Sequence, residues 1–125
     1  MILDASAVLA YLFREKGAAM VAAQIPKASI CAVNLTEVIT RVIRNGSTTV
    51  EALALVDSLN LRVLNWDDVM VRRASPLSAL ARSHGISLGD RACLAAGLVT
   101  GQPVLTAEHG WKKLPDLGVE IQWIR

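Results

Sequence analysis

Four of the eleven acidic residues stand where short apolar runs give way to helical patterns: Asp4, Glu37, Asp90 and Glu108. Asp4 closes the N-terminal run Met-Ile-Leu, and Glu37 comes soon after the run SICAV at 29–33. Asp90 sits three residues into the pattern that opens at Ser87, and Glu108 lies just past the run at 103–106. Carboxylates gathered at low dielectric repel one another unless a cation lies among them. A hard divalent ion answers that need, because Mg²⁺ takes oxygen ligands and keeps several waters, so two or three carboxylates hold it. Such an ion activates water and offsets charge in a phosphorane-like transition state. The chemistry this points to is hydrolysis of a phosphodiester.

Each acid also has a plain structural reading. Asn34-Leu-Thr-Glu37 and Ser87-Leu-Gly-Asp90 both have the form of a capping box. Asp4 can cap the helix that follows it, and Glu108 can be a solvated loop acid. Glu15, Glu51, Asp57, Asp67, Asp68, Asp116 and Glu120 read as helix surfaces, caps or turns, with Asp116 the one that could still reach the others. Taken singly, each of the four keeps both readings open. Their shared location favours the metal reading, since a parallel α/β sheet brings such junctions to its carboxyl edge.

The elements that must position them alternate regularly. Strand-like runs at 1–4, 29–33, 61–65, 103–106 and 119–124 are separated by helical patterns. Helices are expected through AVLAYLF, over 17–24 and over 35–45, the last ended by Asn45-Gly46. Thr48 or Thr49 starts another, with Val50, Leu53, Val56 and Leu59 on one face. Asp67 opens a region running to His84-Gly85, bent or interrupted at Pro76. Ser87 begins a helix with the stripe Leu88, Ala92, Ala95 and Val99, closed by Gly101 and Pro103. The expected architecture is a single domain over 1–125, a three-layer α/β/α sandwich around a mainly parallel five-stranded sheet.

Composition agrees and excludes alternatives. Hydrophobic residues reach 53% against 19% charged, as in a sheet covered on both faces with apolar surface left for a partner. No stretch of about 18 residues lacks charges, which argues against a membrane span. The net charge of +2 permits nucleic acid as a partner without demanding it. Cys31 and Cys93, each in an apolar stretch, read as buried thiols without metal-type spacing. The N-terminus has no signal-peptide pattern, so a cytoplasmic protein is expected. A phosphoacceptor receiver domain is excluded, because Asp4 stands alone where that fold needs paired acids.

Four segments carry a family resemblance: MILDASAVLAYL, NLTEVITR, GISLGDRACLAAG and VLTAEHGWKKL. In this order and at these separations the chain resembles the PIN-domain nucleases, in particular the VapC-type toxins of bacterial toxin–antitoxin pairs. The resemblance spans essentially the whole chain. It implies a Mg²⁺- or Mn²⁺-dependent endoribonuclease, a cognate antitoxin that inserts near the active site, and a homodimeric toxin. It matches Asp4, Glu37 and Asp90 to the main acidic ligands, and Ser6 and Thr106 to polar positions that support them. Glu108 stands where the family usually has Asp, which carries its carboxylate out by roughly 1.5 Å. That departure keeps open an alternative, a PIN-like RNA-binding module with weak or no catalysis.

A nuclease also needs groups for the RNA backbone. Arg41 and Arg44 follow Glu37 by one and two helical turns, Arg91 adjoins Asp90, and Lys112 and Lys113 follow Glu108. These could form a phosphate-contacting rim, against the ordinary reading of a solvated helix face. Arg72, Arg73 and Arg82 are weaker candidates. His84 suits a helix end, His109 could contact substrate, and Trp111 reads as packing.

Overall fold

All five apolar runs become strands, each shorter than its run. The computed structural model describes all 125 residues and contains β1 (Ile2–Leu3), β2 (Ser29–Cys31), β3 (Arg62–Leu64), β4 (Val104–Thr106) and β5 (Ile121–Trp123). They form one sheet in the order β3-β2-β1-β4-β5, and every pairing is parallel. Seven α-helices connect them: α1 (Ala5–Leu12), α2 (Ala18–Gln24), α3 (Ala32–Arg44), α4 (Thr49–Ser58), α5 (Asp68–Ala74), α6 (Ser78–His84) and α7 (Leu88–Thr100).

The period-two alternation of the strands splits the core into two layers. Leu3, Ile30 and Leu105 pack with Val8, Val21, Val38, Val42, Ala52 and Val56 from α1 to α4. Their neighbours Ile2, Cys31 and Val104 face the other way, against Met70, Leu77, Ile86 and the Ala92–Ala96 stretch of α7. Both faces of the sheet's centre are therefore covered, which is why β1, β2 and β4 are fully buried while the edge strand β3 is largely exposed. Gly97 lets α7 come down onto β4, since a Cβ there would lie 2.7 Å from the Val104 side chain. No helix is long and apolar enough to cross a membrane.

Helix ends follow the local chemistry in most places. Thr48 caps α4 in a complete capping box with Glu51, Asp67 caps α5 through Met70 N–H, and Gly101 closes α7 in the left-handed conformation. Pro76 interrupts the region after Asp67 as expected, turning residues Ser75–Leu77 into a 3₁₀ segment between α5 and α6.

Three expectations are corrected. The helix expected at 35–45 begins at Ala32, because β2 passes directly into it with Cys31 at the N-cap. Asn34 is thus inside the first turn, not a cap, and Glu37 lies in the second turn. On α4, the buried residues are Ala52 and Val56, while Val50 and Leu53 are exposed. The helix lies against its neighbours through Ala52 and Val56, so Val56 alone of the expected face is fully buried. On α7, Ala92 and Ala95 are buried but Leu88 and Val99 are exposed, because only the middle of the helix is enclosed by sheet, α3 and α5.

Strand order places the site. From β1 the chain moves outward to β2 and β3, then returns to lay β4 on the other side of β1. Connections leaving β1 and β4 therefore diverge, opening a crevice at the carboxyl ends of those two strands. Asp4 follows the end of one and Thr106 ends the other.

Candidate active site

Asp4 occupies the N-cap of α1, yet its carboxylate makes no capping hydrogen bond. It is 3% exposed and takes two hydroxyl donors on the same oxygen: Ser6 Oγ donates to Oδ2 at 2.6 Å and Thr106 Oγ1 at 2.9 Å. Ser6 Oγ in turn accepts from Ala107 N–H at 2.9 Å, and Thr106 Oγ1 accepts from Glu108 N–H at 3.0 Å. This network stitches β1 to β4 across the crevice. Asp4 Oδ1 accepts no hydrogen bond from the protein, which leaves that oxygen a free acceptor.

Burial pushes the Asp4 carboxyl from its ordinary 3.8 up to about 6, against the two hydroxyls that favour the charged form. The carboxylates of Asp90 and Glu37 push it the same way. Glu37 is raised as well, first by burial, with the Asn34 amide lowering it and Asp90 and Glu108 raising it. Asp90 and Glu37 thus act on Asp4, and Asp90 and Glu108 act on Glu37.

Asp90 forms the capping box that its segment suggested. Its Oδ2 accepts from Ser87 N–H at 3.0 Å while Ser87 Oγ accepts from Asp90 N–H at 3.1 Å, a complete capping box. Capping uses Oδ2 and fixes the carboxylate at the N-terminus of α7. The corresponding box at Glu37 does not form. Asn34 Nδ2 instead donates to Glu37 Oε2 at 2.9 Å and to Gly89 O at 2.9 Å. Glu108 is exposed and its side chain caps nothing, although its carbonyl accepts from Trp123 Nε1–H at 2.9 Å.

These residues fit a hard divalent cation by the chemistry of their donors. All are carboxylate oxygens, one is buried with a free lone pair, and their mutual repulsion is relieved by positive charge. No three of them close on a single point as a finished coordination shell. Thr106→Val tests the support beneath Asp4. Loss of the buried hydroxyl should lower stability by about 1–2 kcal/mol in denaturant unfolding, more at pH 8 than at pH 5, because the charged carboxylate depends on the donor most.

The basic candidates differ in their surroundings. Arg41 is exposed and shares a hollow of about 290 Å³ with Ser6, Phe13, Glu108 and Arg125. Arg44 is exposed on the same helix, while Arg91 Nε–H turns back to donate to Ser87 O at 3.3 Å. Lys112 Nζ lies 5.5 Å from the centre of the Trp123 ring. His109 contacts the Arg125 carbonyl, His84 pairs with Ser83, and Asp116 accepts from Gly118 N–H within its own turn. Trp111 is buried in the α7 layer, as packing.

Sequence reasoning did not find three participants. Asn34 escaped because it was read as a cap, and the signal that exposes it is the true helix start at Ala32; Gly89 is revealed only by the packing of Glu37 and Asn34 against it. Arg125, held by Lys16 O at 2.8 Å and Glu15 at 3.2 Å, is brought to the hollow only by tertiary structure.

Comparison with solved structures gives the same architecture. The chain is similar to the DNA-bound VapBC of Salmonella typhimurium, with TM-score 0.74 and 17% identity over 99% of this chain and 97% of that one. It is similar to VapBC-1 of nontypeable Haemophilus influenzae, with TM-score 0.74 and 14% identity over 98% and 96%. It is similar also to VapBC-5 of Mycobacterium tuberculosis, of the VapBC family of toxin–antitoxin systems, with TM-score 0.64 and 20% identity over 99% and 96%. Sequence comparison with curated proteins gave no significant match. Residues 1–117 match the family model described as PIN domain, and the chain belongs to the PIN domain family.

Proposed function

We propose that this protein is a Mg²⁺- or Mn²⁺-dependent endoribonuclease and the toxin of a type II toxin–antitoxin pair, acting in the cytoplasm. One observation carries the nuclease reading: a buried carboxylate at the sheet's switch point, Asp4, raised to about 6 with Glu37 and Asp90 both acting on it. Asp4, Glu37 and Asp90 would hold the cation, which would supply activated water and positive charge for phosphodiester hydrolysis. The chain's own residues do the rest. Ser6 and Thr106 hold Asp4, Ser87 holds Asp90, and Asn34 holds Glu37. Arg41, with Arg44, Arg91 and Lys112 further out, offers donors to RNA phosphates around the acids.

The toxin reading rests on likeness to the VapBC complexes and on surface composition. Met20, Val50, Leu53 and Leu55 on α2 and α4 are exposed, beside a hollow lined by Tyr11, Leu12 and Ala22. Val63, Val69, Val71, Leu88 and Val99 form a second exposed apolar set around β3, α5 and α7. One such surface suits a cognate antitoxin and the other a second copy of the chain.

A second reading, an RNA-binding module with weak or no catalysis, is favoured by the exposed Glu108 and the lack of a closed acidic shell. Total RNA incubated with the purified protein and Mg²⁺ or Mn²⁺, then mapped by end sequencing, separates the two. Defined new ends that vanish with chelator support the nuclease. RNA retained on the protein but left intact with either metal supports the binding module.

A further inference from the structure

Asn34 is wholly buried, and its Oδ1 has no hydrogen-bond partner. A buried amide with an unpartnered oxygen is a poor choice for stability alone, since a similar-sized apolar side chain carries no such burden. Its nitrogen explains its presence. Both N–H groups are used, one on Glu37 Oε2 and one on Gly89 O, each at 2.9 Å. The first acceptor is a carboxylate of the acidic cluster on α3. The second is the backbone immediately before Asp90, the carboxylate of α7. One side chain therefore spans the two helices at their N-terminal ends.

Gly89 completes the arrangement from the other side. An ideal Cβ at this position would lie 2.1 Å from Glu37 Oε1 and 2.5 Å from its carboxyl carbon. The Glu37 carboxylate thus rests directly against the α7 backbone, in space that any other residue would fill. Gly89 has no positive φ and is not a turn glycine, so close approach is its structural purpose.

We infer that Asn34 and Gly89 are positioning residues: together they form a seat that fixes the Glu37 carboxylate relative to Asp90 and so sets the affinity for the divalent ion. This rests on the metal-dependent reading given above. The seat works through Glu37 alone, the amide holding Oε2 and the missing Cβ admitting the carboxyl group. Alanine at residue 89 would push Glu37 out while the Asn34 amide could still reach the Gly89 carbonyl. Leucine at residue 34 would leave the space filled and remove the amide donor from Glu37 Oε2.

The test is Mn²⁺ affinity by titration calorimetry together with the melting temperature of the metal-free protein, for wild type, Gly89→Ala, Asn34→Leu and Glu37→Gln. Gly89→Ala should weaken Mn²⁺ binding about tenfold or more, the range seen when the supports of metal ligands are removed. Its melting temperature should stay within a few degrees of wild type, because the helix propensity of alanine and the freed Glu37 carboxylate offset the Asn34 N–H that loses its acceptor. That combination is one that a merely structural glycine would not give. Asn34→Leu should weaken binding similarly, and Glu37→Gln at least as much. If Asn34→Leu fails to fold, Gly89→Ala decides. Wild-type affinity in a folded Gly89→Ala overturns the inference, as does a loss there with none in Glu37→Gln. If the wild type neither binds Mn²⁺ nor cleaves RNA with it, the metal-dependent reading itself fails. If wild type binds and Glu37→Gln does not, while both seat variants bind normally, only the positioning inference fails.

Discussion

Asp4→Asn should eliminate metal-dependent RNA cleavage and, in the same protein, stabilise the metal-free fold at pH 8. The two effects come from one cause. Asp4 is buried beneath the crevice, and desolvation raises its carboxyl from 3.8 to about 6. The folded state therefore keeps a proton on Asp4 at pH values where the unfolded chain has lost it. Stability from this group is fully present below pH 3.8 and is lost as pH rises through about 6. The difference corresponds to about 3 kcal/mol between acid and alkaline sides. Asparagine has nearly the same shape, and its oxygen can accept the Ser6 and Thr106 hydroxyls as Oδ2 does. It carries no charge to desolvate. In urea unfolding with chelator, Asp4→Asn should exceed wild type by up to about 3 kcal/mol at pH 8, with the gain vanishing near pH 4. A variant less stable than wild type at pH 8, or one that still cleaves, contradicts the account. A carboxylate that costs stability when empty is an expected signature of a site built for a cation.

Much of this was legible in the sequence, for physical reasons that differ by residue. Apolar runs such as Val104–Thr106 and Ser29–Cys31 announced buried strands, because a parallel sheet covered on both faces admits few polar residues. Ser87 and Asp90 were readable because a capping box is local, needing only residues three apart. Asn34 was misread for a related reason. The same local pattern N-x-x-E is satisfied inside a helix by a side-chain pair, and only the exact start of α3 distinguishes the two. Val50 and Leu53 carry the right spacing for a core face, but small Ala52 wins the contact and turns them outward. The bond from Thr106 to Asp4, spanning 102 residues, depends on strand order, which no local pattern records.

Mn²⁺ affinity should fall steeply as the solution is acidified through pH 6, in a range where ordinary exposed carboxylates remain charged. The ion requires deprotonated ligands, so binding competes with protons for every raised carboxyl in the site. At pH 5, one unit below the Asp4 value of about 6, roughly one Asp4 in ten is ionised, and this residue alone weakens apparent affinity about tenfold relative to pH 8. Glu37, raised by burial and by the charges of Asp90 and Glu108, steepens the fall further. The same competition requires that binding near pH 6 release protons, which calorimetry in two buffers of different ionisation enthalpy detects directly. A profile flat from pH 8 to pH 5 would show that Asp4 is not among the ligands. Glu108→Gln offers the contrast. That side chain is exposed at the rim and caps nothing, so its loss should weaken Mn²⁺ binding less than Asp4→Asn and leave the midpoint near pH 6 in place. Such a result would place the working centre on Asp4, Glu37 and Asp90, with Glu108 adjusting the field at its edge.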